Sequence, residues 1–135
     1  MREPAPQSER EPALVLVVED EQPIAEALSF MIEDAGYATL IASHGQQGLE
    51  MARARHPALI FTDLMMPRMD GAALIAALHA DAAKDGEHPA PPIILMTAAG
   101  FGHAQRAGAD IILAKPFDIK DIERLLARFL DHPIP

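Results

Sequence analysis

Five short apolar runs, at residues 13–18, 37–42, 58–62, 93–96 and 111–114, alternate with five stretches of helical pattern. A run such as Leu14-Val15-Leu16-Val17-Val18 has no polar position to turn toward water, so it suits a strand buried on both faces. Such strands, separated by amphipathic helices, build a parallel sheet covered on both sides. Right-handed crossovers wind it in both directions. The expected class is α/β: a doubly wound five-stranded parallel sheet, (βα)5, forming one domain over residues 13–131. Residues 1–12 hold Pro4, Pro6 and Pro12 among charges and read as a disordered tail; 132–135 read as a short C-terminal tail.

The helices follow from periodicity and punctuation. Pro23 suits a first turn, Ile24, Ala27, Leu28, Met31 and Ile32 recur on one face, and Gly36 suits a helix end. Residues 45–55 make a second helix with Leu49, Met51 and Ala52 as its apolar positions, although Gly45 and Gly48 lower its propensity. A third spans 71–83 with Leu74, Ile75 and Leu78 inward. Residues 84–92 are polar, carry three prolines and read as a long loop. Residues 100–108 leave room for about two helical turns. Asp118 can cap a last helix whose buried stripe is Ile119, Ile122, Leu125, Leu126 and Phe129.

Chemistry is expected where the strands end, because open parallel sheets bind ligands at their carboxyl edge. Four of the five strands end in a reactive group: Glu19-Asp20 after the first, Asp63 after the third, Thr97 at the fourth and Lys115 after the fifth. Two carboxylates about 4 Å apart repel by roughly 4 kcal/mol at an effective dielectric of 20. Three therefore need counter-charge. Lys115 supplies one unit, and an oxygen-seeking divalent cation such as Mg²⁺ supplies two. Without cysteine, and without histidine in this set, zinc is disfavoured. An Asp63 beside a cation can act as a nucleophile toward a phosphoryl group, with Lys115 and Thr97 holding its oxygens.

Composition removes other classes. A formal net charge of −9 with no Lys/Arg cluster disfavours direct nucleic-acid binding. No cysteine means no disulfide and no thiol chemistry. No apolar run approaches the roughly 18 residues of a membrane span. The N-terminal residues also lack the apolar centre of a signal peptide. The expectation is a cytoplasmic protein with no membrane contact.

Several fragments carry a family resemblance. Val17-Val18-Glu19-Asp20-Glu21, Asp63-x-x-Met66-Pro67-x-Met69-Asp70-Gly71, Thr97-Ala98, Gly108-Ala109-Asp110 and Lys115-Pro116-Phe117 stand in order over residues 13–130. Together they resemble the receiver domain of two-component response regulators. The resemblance implies a flavodoxin-like receiver fold in which Asp63 accepts a phosphoryl group from a sensor histidine kinase or a histidine phosphotransfer protein. It implies that Asp20 and Asp63 ligate Mg²⁺ directly with the backbone carbonyl of Met65, and that Glu19 acts through a metal-bound water. Thr97 and Lys115 would grip the phosphoryl group, and the Lys115–Pro116 peptide would be cis. The chain is expected to be a stand-alone regulator without a DNA-binding output. It would signal to a downstream protein target by contact or by onward phosphotransfer, and the family resemblance also allows a homodimer. It would be no enzyme beyond its own phosphorylation and dephosphorylation.

Three features depart from the family pattern. Ile112 stands three before the lysine, where receivers commonly carry an aromatic ring that swings inward. Residues 97–108 are about one helical turn short, so a short or irregular fourth helix is expected. Met65 and Ala99, two after Asp63 and Thr97, cannot hold a water by a strong hydrogen bond, which implies slow self-dephosphorylation.

Blander readings apply elsewhere: Glu21 as a solvated charge, Asp70 as a helix cap, Met65, Met66 and Met69 as loop packing, His103 as a solvated side chain near the pocket mouth. Lys120, Glu123 and Arg124 would form a solvated face of the last helix. A haloacid-dehalogenase-type Mg²⁺ phosphohydrolase would need a second Asp where Met65 stands. A flavin binder would need a phosphate loop where Glu19-Asp20-Glu21 stands. A degenerate receiver, serving only as a binding module, is the remaining alternative.

Overall fold

A computed structural model describes residues 12–98 and 101–130. The tails expected at 1–12 and 132–135 fall outside them, apart from Pro12. Ten elements alternate as expected: β1 (Leu14–Val18), α1 (Gln22–Asp34), β2 (Ala38–Ala42), α2 (Gly45–Arg55), β3 (Leu59–Asp63), α3 (Gly71–Asp85), β4 (Ile93–Thr97), α4 (Phe101–Gln105), β5 (Ile111–Ala114) and α5 (Ile119–Phe129). The strands form one parallel sheet in the order β2-β1-β3-β4-β5.

Alternation along each strand divides the core in two. Leu16, Val18, Ile60 and Leu95 face α2, α3 and α4 with Leu49, Leu74 and Ile75. Val15, Val17, Phe61, Ile94 and Met96 face α1 and α5 with Leu28, Ile32, Ile122 and Leu126. Burial of both faces is why β1, β3 and β4 carry no polar alternation.

The helix ends show local causes. Asp70 caps α3 by accepting the Ala73 N–H at 2.8 Å. Asp118 caps α5 in a reciprocal box with Asp121. His44 caps α2 through Nδ1, which accepts the Gln47 N–H at 3.2 Å, a role not anticipated for a histidine. Gly45 and Gly48 have a packing reason. A Cβ on Gly45 would overlap the Met69 carbonyl, and one on Gly48 would sit 2.8 Å from Val18 Cγ2.

Several expectations need correction. α3 runs to Asp85, so Lys84 and Asp85 are helical and the loop starts at Gly86. Gly86 takes the left-handed conformation at φ 72° and its N–H donates to the Ala82 carbonyl. Ala27 is exposed, and the buried face of α1 is Ala25, Leu28, Ser29 and Ile32. Ser29 is tolerated there because its hydroxyl bonds that of Thr39. Ile119 is 42% exposed in the first turn of α5, where Phe117 packs against the core instead. α4 is five residues long, in keeping with the short segment. Ile112 is half-buried and packs against the cluster that contains Ala104 of α4.

Candidate functional site

Parallel register brings the reactive groups to one rim. Val18 lies opposite Thr62, Asp63 opposite Met96, and Thr97 opposite Ala114. The residues just past these positions share the carboxyl edge. A cavity of about 450 Å³ opens there, lined by Asp20, Glu21, Asp63, Met65, Ala98 and Lys115. Glu19 and Thr97, 1% and 2% exposed, are buried at the same strand ends. Exposed His103 on α4 does not reach the lining. The Lys115–Pro116 peptide is cis.

Lys115 ties the first strand to the third. Its Nζ donates to Glu19 Oε1 at 2.6 Å and lies 3.3 Å from Asp63 Oδ1. The other Glu19 oxygen accepts the Glu21 N–H at 3.2 Å. Burial pushes the Glu19 carboxyl above its usual range, against the opposing pull of Lys115 and the Glu21 N–H, and the nearby Asp63 charge adds to the rise. Burial also works against the Lys115 ammonium, but the Glu19 and Asp63 carboxylates outweigh it and raise its pKa.

One oxygen from each of Glu19, Asp20 and Asp63 lies within 4.8 Å of the others. With Lys115 as counter-ion, three carboxylates face one ammonium, leaving two negative charges uncompensated. The donors are all carboxylate oxygens beside a solvent-open cavity. That set of carboxylate oxygens fits a hard divalent cation such as Mg²⁺. An Asp20→Asn chain should therefore be more stable than wild type in EDTA, by about 1 kcal/mol, because one repulsive charge is gone. Millimolar Mg²⁺ should raise the Tm of wild type, and the variant should lose most of that rise. Parallel melts with Mg²⁺ and with EDTA check both halves.

Two site features escaped the sequence. Glu21 lines the cavity rather than standing apart from it. The direct Glu19–Lys115 contact joins residues 96 apart and has no local signature. Met66 and Met69 are buried and half-buried loop packing as expected, but Met65 is 66% exposed and lines the cavity. Asp110 is structural: its carboxylate accepts the Ile93 N–H at 2.8 Å, fixing the start of β5 beside β4.

The response regulator receiver domain family matches residues 15–127. Among solved structures, the chain is similar to the chemotaxis protein CheY4 of Vibrio cholerae. The two are 28% identical with a TM-score of 0.78, over 88% of this chain and 99% of that one. It is similar to the response regulator Rre1 of Synechocystis sp., 29% identical over 89% of this chain and 52% of that protein. It is also similar to the transcriptional regulatory protein SrrA of Staphylococcus aureus, 34% identical over 80% of this chain and 44% of that protein. The chain spans about half the length of the curated relatives it matches. It belongs to the receiver-domain family of two-component response regulators.

Proposed function

We propose that this receiver is a Mg²⁺-dependent phosphoacceptor switch in a phosphorelay, phosphorylated on Asp63. The observation that carries the reading is Asp63 itself. It sits at the end of β3, in the wall of an open cavity, 3.3 Å from the Lys115 ammonium and grouped with Asp20 and Glu19. An Asp63 carboxylate oxygen attacks the phosphorus of a phosphohistidine on a sensor kinase or phosphotransfer protein. The P–N bond breaks, and the imidazole leaves with the bonding pair.

Asp20, Asp63 and the Met65 carbonyl are the proposed direct ligands of Mg²⁺, with Glu19 acting through water. When bound, the ion neutralises charge on the phosphoryl oxygens. Lys115 moves its donor toward the new phosphoryl group, and Thr97 at the end of β4 adds a hydroxyl. The functional unit is residues 13–131. It acts in the cytoplasm, turns over nothing beyond its own phosphoryl group, and passes its signal to a protein partner or to a second copy. Among the described residues no helix is long and apolar enough to cross a membrane.

Phosphorylation adds about −1.5 to −2 charges at one point. With Ile112 already packed against the core, no ring is available there to move inward. The response must pass through the backbone around Thr97 and the short α4. Phosphotransfer profiling against purified kinases tests the reading: one or a few donors should lose label rapidly to this chain when Mg²⁺ is present. A second expectation concerns turnover. Met65 at the cavity wall offers water only a weak acceptor, so phospho-Asp63 should persist for minutes or longer. A half-life of seconds in Mg²⁺ overturns it.

A further inference from the structure

Met65 is the one exposed methionine among those described. It is 66% exposed, against 8% for Met66 and 0% for Met96, while Met31, Met51 and Met69 are half-buried. It also lines the cavity that holds Asp63 and Lys115. Apart from Ala98, the rest of that lining is charged. A thioether there is both the accessible reductant of the site and its weakest hydrogen-bonding element.

We propose that Met65 is an oxidation site that sets the lifetime of the phosphorylated state, an inference that rests on Asp63 being the acceptor. The co-reactant is a small peroxide, which the open cavity admits. The Met65 sulfur lone pair attacks one peroxide oxygen, the O–O bond breaks, and sulfoxide and water (or an alcohol) form; sulfur loses two electrons and the peroxide gains them. The product replaces a weak acceptor with a strong one beside Asp63. A water held by that S=O is oriented toward the phosphoryl group. Its oxygen bonds to phosphorus as the bond to the Asp63 oxygen breaks. The carboxylate leaves with the bonding pair, and the water protons pass to phosphate and solvent. Oxidation thus shortens the signal, and a methionine sulfoxide reductase restores it.

The experiment uses the full chain and dilute hydrogen peroxide. Peptide mapping by mass spectrometry should find Met65 sulfoxide before sulfoxide at Met66 or Met96. The oxidised chain, phosphorylated with acetyl phosphate and Mg²⁺, should lose label about threefold faster or more than the untreated chain. Reductase treatment should return the original half-life. In a Met65→Leu chain, the half-life should be the same before and after peroxide, which removes every other methionine from the explanation. Met66 or Met96 oxidising first, or an oxidised chain whose label decays at the untreated rate, overturns the proposal. Failure of the acceptor reading is separate and visible at once, as absence of label in the untreated chain.

Discussion

An Asp63→Asn chain incubated with Mg²⁺ and acetyl phosphate should gain no phosphoryl group, while wild type should gain one, read by intact mass and by the base-labile label expected of an acyl phosphate. The substitution keeps the shape of the side chain and removes the nucleophilic carboxylate. The remaining oxygen of an amide is too weak a nucleophile for phosphorus. The loss should be complete rather than partial, because Asp20 and Glu19 are placed differently. Glu19 has its two oxygens engaged with Lys115 and the Glu21 N–H, and Asp20 follows the end of β1 in an exposed bend. The variant should not be unfolded. It removes one of three mutually repelling carboxylates, so its melt in EDTA should lie at or above that of wild type. Label that survives in Asp63→Asn would place the acceptor elsewhere.

The second large effect comes from a residue with no functional group. Gly71 opens α3 directly against the strand that carries Asp63, and its N–H donates to the Leu64 carbonyl at 2.9 Å. A Cβ added there would overlap the Asp63 carbonyl oxygen and stand 2.8 Å from Leu95 Cδ1 and 3.0 Å from Leu64 Cα. Two of those three neighbours are backbone and cannot turn aside. Gly71→Ala should therefore destabilise the protein by about 3 kcal/mol, a fall in Tm of ~10 °C for a domain of this size. In the fraction that stays folded, the displaced 63–65 backbone should slow phosphorylation. The control is Gly102→Ala, whose Cβ meets nothing within 4 Å and which should leave the melt nearly unchanged. Equal melts for the two variants would show that α3 can move away from β3 without strain.

The central strands β1, β3 and β4 were legible because each is buried on both faces, and the half-buried edge strands β2 and β5 because they too are short apolar runs between helical patterns. The rim chemistry was legible because a parallel sheet sends every strand end to the same edge. What failed had physical reasons. Ser29 is polar, so the periodic reading passed over it and moved the α1 stripe onto Ala27; only the Thr39 hydroxyl, from another element, makes the serine acceptable inside. Ile119 fits the α5 period, but Phe117 already fills the apolar place at that end. Lys84 and Asp85 look like loop by polarity, yet a helix end facing water asks for polar residues, and Lys84 suits its negative end. The strand-end rule places Lys115 at the same rim as the acids, but its direct pairing with Glu19 depends on side-chain packing that no local pattern encodes.

That pairing has a temporal side. The acids at positions 19, 20 and 63 emerge from the ribosome well before the ammonium at 115, and β5 is the last strand to be synthesised. Synthesis runs from the amino end at about 5–20 residues per second. For several seconds a nascent chain presents carboxylates with no lysine among them. A phosphodonor meeting such a fragment would find no assembled pocket, so the acceptor proposed at Asp63 would become competent only once Lys115 has reached the rim.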